Sequence, residues 1–304
     1  MYKRGYVPDI FVGTSIGAIF SVLLGLYDDP KIVKEIALKF IKHHIWQQLL
    51  SFDMFSAAGL LESKETVKLI AKEAGFTGKT FSDLKKPVFI TATDLNSGQL
   101  VIFGEGTGCG VQGTLSEALE ASISFPVIFK PKKMGVGNKT LALADGGIRE
   151  NCPISVVARI PGVKRIIASD LGYCGQAKGD FNKKNIMDVF MQCLDLTTSF
   201  SQINRYINDD VFLKNKIAVR IINPGIFDVH PFDFKEIPSI MDRARKTAQF
   251  IFSKFPPSPR LRRTSKKPDD FFKYWRSDPF DKEYMTVEHI GKKGTNAFEV
   301  VDFG

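Results

Sequence analysis

Gly13-Thr14-Ser15-Ile16-Gly17 stands between two apolar runs, and the fold is read outward from it. Ahead of it lies Tyr6-Val7-Pro8-Asp9-Ile10-Phe11-Val12, with the β-branched and aromatic bias of a buried strand. Behind it, Ala18-Ile19-Phe20-Ser21-Val22-Leu23-Leu24-Gly25-Leu26-Tyr27 is long and apolar enough for a largely buried helix. A serine between two glycines at a strand-to-helix junction is the nucleophile-elbow pattern. The sharp turn strains the serine backbone, and the absence of a bulky Cβ at Gly13 and Gly17 lets the chain pass closely. The same geometry lifts the Ser15 hydroxyl clear of the sheet and aims the Ile16 N–H, at a helix N-terminus, toward a developing oxyanion. A Gly-Ser turn that only starts a helix has the same spelling. The strand before it and the helix after it favour chemistry.

A chain of 304 residues, 44% of them hydrophobic, can bury one large core or two modest ones. The expected organisation is one catalytic domain over residues 1–255 and a C-terminal extension over 256–304. The formal net charge of +9 points to anionic surfaces, lipid headgroups or nucleic acid, without choosing between them. Cys109, Cys152, Cys174 and Cys193 show no C-x-x-C spacing, so neither a zinc site nor a disulfide framework is indicated. Scattered reduced thiols fit a cytoplasmic protein. Lys3 and Arg4 before an apolar run imitate a signal peptide, but Pro8 and Asp9 interrupt it and Leu26-Tyr27-Asp28-Asp29-Pro30 lacks a small-residue cleavage site. No targeting segment is assigned.

Further along, helical spacing marks segments from about Lys31 to Leu50 and from Ser63 to Ala74. His43 and His44 are neighbours in sequence and so point in different directions. Phe52 to Leu61 reads as a mobile lid or a packed loop. Lys86 to Leu95 and Gln99 to Phe103 form a hairpin about Asn96-Ser97-Gly98. Gly104 to Gly113 is a glycine-rich loop without a nucleotide-binding pattern. Thr114 to Ser124 is a helix capped by Thr114 or Ser116, and Val127 to Phe129 a short extended piece. Thr140-Leu141-Ala142-Leu143-Ala144 is a strand that delivers Asp145 into the turn Gly146-Gly147. A strand over Lys164 to Asp170, a long helix over 185–208, a strand over Ile217 to Ile222 and a helix over Ile237 to Phe252 complete the pattern. Alternation of this kind implies an α/β fold with a mainly parallel sheet covered by helices on both faces. Beyond Pro256, Arg260, Arg262, Arg263, Lys266 and Lys267 precede Phe271, Phe272, Tyr274 and Trp275. That mixture suits either a membrane interface or a solvated tail.

An activated serine needs a base, usually a histidine oriented by a carboxylate. Only His43, His44, His230 and His289 are available, and none sits in a convincing histidine turn. Asp145, held by a buried strand and partly desolvated, would have a raised pKa and could take the serine proton directly. No metal and no cofactor is called for by any motif.

Gly13 to Ala18 together with Asp145-Gly146-Gly147 resembles the patatin-like phospholipase family. Thr91 to Gly98, Ala121-Ser122-Ile123-Ser124-Phe125-Pro126 with Phe129 and Pro131, and Asn151 with Pro153 carry the resemblance further, in the family's order. It covers about residues 6 to 170. The resemblance implies Ser15 as nucleophile and Asp145 as base of a Ser-Asp dyad. It also implies a three-layer α/β/α sandwich with a central, mostly parallel sheet. The family's glycine-rich oxyanion loop has no counterpart among Met1 to Gly5, so the expectation is a chain lacking that loop, with lowered activity.

The function so implied is a serine lipid acyl hydrolase of phospholipase or lysophospholipase type, working through an acyl-enzyme. Its partners would be a phospholipid or other lipid ester and, peripherally, an anionic membrane, with no nucleic acid. Two alternatives stay open: an impaired homologue acting by membrane or partner binding, and a histidine-dependent esterase on small esters.

Overall fold

The computed structural model describes residues 7–42, 62–104, 114–172, 180–184, 186–208, 217–225, 236–254 and 284–286. His43, His44, His230, His289, the segment Phe52 to Leu61, residues 105–113 of the glycine-rich loop and the basic cluster of Arg260 to Trp275 lie outside the described residues. The chain divides into two compact units, one containing Pro8–Arg149 and one containing Glu150–Ser265.

In the first unit, strand β1 (Phe11–Thr14) leads through Ser15 into helix α1 (Ile16–Tyr27). The strand is shorter than the apolar run suggests, because Pro8 and Asp9 keep the front half out of the ladder. Helix α1 buries Ala18, Ile19, Val22, Leu23 and Leu26 at helical spacing, each large aliphatic side chain contributing roughly 1.5–3 kcal/mol. It ends at Asp28, whose backbone is left-handed (φ 51°) and whose N–H reaches the Leu24 carbonyl at 2.9 Å. Lys86 locks this corner, pairing with Asp28 at 2.6 Å and donating to the Pro8 carbonyl at 2.8 Å. Helix α2 (Pro30–Lys42) and helix α3 (Ser63–Glu73) follow.

The central strand is β2 (Val88–Asp94), buried along its whole length. It forms the expected hairpin with β3 (Leu100–Gly104), and Asp94 closes the turn by accepting from Ser97 and from the Asn96 and Ser97 N–H groups. Helix α4 (Leu115–Ser122) is capped by Thr114 in a reciprocal box with Glu117: the Thr114 hydroxyl accepts from Glu117 N–H and donates to its carboxylate at 2.8 Å. Of the two capping residues expected, Thr114 does it. Thr114→Ala should therefore cost about 1 kcal/mol, seen by calorimetry as a fall of about 2–4 °C in Tm.

A second hairpin joins β4 (Lys132–Val136) to β5 (Lys139–Asp145). Only β5 is expected from the sequence, since Lys132, Lys133 and Gly135 mask the alternate burial of Met134 and Val136. A short strand, β8 (Tyr284–Thr286), pairs parallel with β3.

Helix α5 (Gly147–Glu150) ends at the first residue of the second unit's Glu150–Ser265 stretch, which then carries helix α6 (Ile154–Arg159). Strand β6 (Arg165–Ser169) and strand β7 (Ala218–Ile222) pair in parallel and are joined across helix α7 (Ile186–Asn208). Helix α8 (Ile237–Lys254) packs Phe252 against Ile222.

The architecture is the expected α/β class. Parallel pairing is carried by the strands with helical crossovers between them, β1–β2 and β6–β7, and by β3–β8. The antiparallel pairs β2–β3, β4–β5 and β2–β5 arise from the two local hairpins and their docking.

Candidate active site

Strand β2 accepts two neighbours end to end along one edge. Strand β1 runs parallel to it, with Thr14 opposite Thr91 as its last rung. Strand β5 runs antiparallel, with Asp145 opposite Ala92 as its last rung. The two strands therefore approach head-on and stop at adjacent positions of β2. Ser15 follows directly from one and Asp145 ends the other. Residues far apart in sequence thus meet at one point of the sheet.

The join is tight around Thr91. Its hydroxyl lies 2.6 Å from that of Thr14. A Cβ placed on Gly146 would stand 2.6 Å from Thr91 Oγ1 and 2.7 Å from its carbonyl oxygen, so only glycine lets the turn after Asp145 lie on β2. The Gly147 N–H donates to Asp145 Oδ1 at 2.7 Å, and Thr93 donates to the Asp145 carbonyl at 3.1 Å.

Ser15 has φ 53° and ψ −123°, a conformation that L-residues adopt only when their surroundings force it. The force is visible at Gly13, where a Cβ would overlap the Gly17 carbonyl and stand 2.5 Å from Ser21 Oγ. Gly17 differs. A Cβ there would meet nothing within 4 Å, so its backbone is what Gly13 approaches, while its own lack of side chain relieves no contact. The elbow needs one glycine for packing.

The Ser15 carbonyl accepts from Ala18 N–H at 2.9 Å and more weakly from Ile19 N–H at 3.4 Å. The Ile16 and Gly17 N–H groups are the first two of α1 and have no carbonyl a turn earlier to bond. They carry the partial positive charge of the helix start beside Ser15.

Asp145 is 2% exposed. Burial pushes its pKa up to about 6, against the hydrogen-bonding pull of the Ser15 hydroxyl and the Gly147 N–H. Its Oδ2 is buried without a partner at hydrogen-bonding geometry. The Ser15 hydroxyl lowers the carboxyl pKa, against the larger effect of burial. A carboxylate ionising near neutral pH beside a serine can accept that serine's proton.

Two groups that sequence reasoning missed complete the surroundings. The Ser15 N–H donates to Ser122 Oγ at 2.9 Å, and the Asp145 N–H donates to the Ser124 carbonyl at 3.0 Å. Both contacts join residues remote in sequence, and no local pattern announces them. Next to them Val127 holds φ 74°, unusual for a β-branched residue, and is 46% exposed.

Among the described residues no group of three or more His, Cys, Asp or Glu could hold a metal ion. No described helix is long and apolar enough to cross a membrane. A family model described as Patatin-like phospholipase matches residues 1–158. Among solved structures, the crystal structure of VipD from Legionella pneumophila is similar at 15% identity and a TM-score of 0.44, over 83% of this chain and 63% of that one. The chain therefore spans less than two thirds of that chain's length.

Proposed function

The chain belongs to the patatin-like phospholipase family, whose members are lipid acyl hydrolases, and on that premise we propose that it cleaves a lipid carboxylic ester through an acyl-enzyme on Ser15, with Asp145 as base. The family fold, α/β with helices around a central sheet, is consistent with a three-layer α/β/α sandwich. The observation that carries the reading is the buried Asp145 carboxylate, its pKa near 6, facing a serine in a strained elbow.

The chemistry follows from those positions. Ser15 Oγ attacks the ester carbonyl carbon as its proton passes to Asp145. Negative charge gathers on the carbonyl oxygen, where the Ile16 N–H at the start of α1 donates to it. Collapse breaks the bond to the alcohol, which leaves with the proton from Asp145. Water then attacks the acyl-enzyme, gives its proton to Asp145, and the fatty acid departs as Ser15 recovers its hydrogen.

A fluorophosphonate, which phosphonylates activated serines with loss of fluoride, tests the reading directly. One equivalent should attach, and peptide mass spectrometry should find it on Ser15. Absence of labelling, or labelling elsewhere that survives Ser15→Ala, would favour a binding role or a different nucleophile.

A further inference from the structure

Two buried serines stand at and just beyond the C-terminal end of α4. Ser122 is the last residue of that helix and has no exposure at all, while Ser124 is 1% exposed. The first gives its hydroxyl oxygen to the Ser15 N–H at 2.9 Å, and the second gives its carbonyl oxygen to the Asp145 N–H at 3.0 Å. Nucleophile and base, each just past or at the last rung of its own strand, are therefore tied to a single three-residue stretch. We propose that this stretch is a clamp that sets the distance between the members of the dyad, with Ser122 the positioning residue for Ser15. The proposal rests on the Ser15–Asp145 reading.

Three features give the clamp its force. Beyond Thr14 the β1–β2 ladder has ended, so the ladder holds neither the Ser15 N–H nor the strained Ser15 backbone. Ser122 is the described group that holds that N–H. The clamp itself is anchored. Ser124 Oγ donates to the Glu120 carbonyl at 2.6 Å and lies 3.0 Å from Ser63 Oγ on α3, and the Glu120 carboxylate pairs with Lys132 on β4. Finally, the two grips lie two residues apart, and the backbone between them is held to α4 by Ile123 N–H on the Leu119 carbonyl at 2.9 Å and Ser124 N–H on the Ala121 carbonyl at 3.4 Å.

A reacting hydroxyl displaced by about 1 Å loses about 100-fold in rate. Loss of the Ser122 acceptor releases the Ser15 backbone without touching either reacting group, so the turnover number should fall and KM should hold. On p-nitrophenyl butyrate, Ser122→Ala is expected to lower kcat about 10- to 100-fold with KM within about twofold. Fluorophosphonate labelling per folded molecule should slow in parallel. Ser122→Cys, which keeps a weaker sulfur acceptor, should fall between Ala and wild type. A packing role gives the opposite order, because Ala nearly matches Ser in size and Cys crowds a site without exposure. Thr114→Ala weakens the same helix from its far end and should lower Tm while leaving kcat unchanged. Labelling is normalised to folded protein, so a poorly folding Ser122→Ala is still ranked, molecule for molecule, against Ser122→Cys and wild type. Wild-type kcat in Ser122→Ala or Ser122→Cys, or Cys slower than Ala, would overturn the clamp while Ser15→Ala still abolished labelling. Labelling that persisted in Ser15→Ala would instead overturn the dyad reading on which the clamp depends.

Discussion

Asp145→Asn should leave a protein that is inactive and more stable. Asparagine can still accept the Gly147 N–H, but it cannot take a proton from Ser15, so ester hydrolysis should fall at least about 10³-fold, within the range typical for loss of a general base. Stability moves the other way. With its pKa raised from 3.8 to about 6, Asp145 ionises less readily folded than unfolded, so the folded state binds more protons between those values. Above pH 6 the buried charge costs about 2–3 kcal/mol, at 1.36 kcal/mol per pKa unit. The gain of Asp145→Asn over wild type should thus be absent below about pH 4, grow from there to pH 6, and stay constant above. The wild-type rate should show the matching profile, rising with pH through about 6 as the base ionises. Urea denaturation of both proteins across pH 3 to 8, with kcat/KM measured alongside, checks both claims. An acid limb lying well above or below pH 6, or no stability gain at neutral pH, would remove Asp145 from the role of buried base.

The two glycines of the elbow should separate just as sharply. Gly13→Ala drives a Cβ into the Gly17 carbonyl, backbone against backbone, with no flexible side chain to yield. The cost should be about 3 kcal/mol or more, at the upper end of overpacking effects. That is a large part of the roughly 5–15 kcal/mol holding a domain together, so the protein should be poorly soluble and nearly inactive. Gly17→Ala introduces a methyl with nothing within 4 Å at the second position of α1. Because alanine is the better helix former, it should gain up to about 0.5–1 kcal/mol. Calorimetry on the pair decides this: a higher Tm for Gly17→Ala and loss of the transition for Gly13→Ala are expected. Equal destabilisation would mean that both glycines carry packing.

How far this outcome was visible in the sequence depends on the range of the interaction. Ser15 and Asp145 were legible because each sits at the end of an apolar strand and in a glycine turn, signals contained within a few residues. Most described helices and strands were legible for the same reason, by period and by breakers such as Pro30 and Gly75. Strand β4 was not, because an edge strand with two lysines and a glycine dilutes its alternation, although Gly137 with its positive φ marks the turn that follows. Gly17 misled, since five letters cannot say which of two glycines approaches the other. The roles of Ser122 and Ser124 were out of reach. The segment Ala121 to Pro126 carries part of the family resemblance, yet its grip on the dyad runs through single hydrogen bonds across 107 residues in one case. Such a contact leaves no local trace.

The head-on meeting of β1 and β5 on one edge of β2 also orders events during synthesis. Ser15 emerges from the ribosome about 130 residues before Asp145. At about 5–20 residues per second, that interval is roughly 7–26 s. Strand β1 can find β2 once Asp94 has emerged, but the other half of that edge stays vacant until β5 arrives to fill it. On the proposed reading, the nascent chain carries a nucleophile with no base throughout this time, and the pair is completed only by the last strand to reach the shared edge.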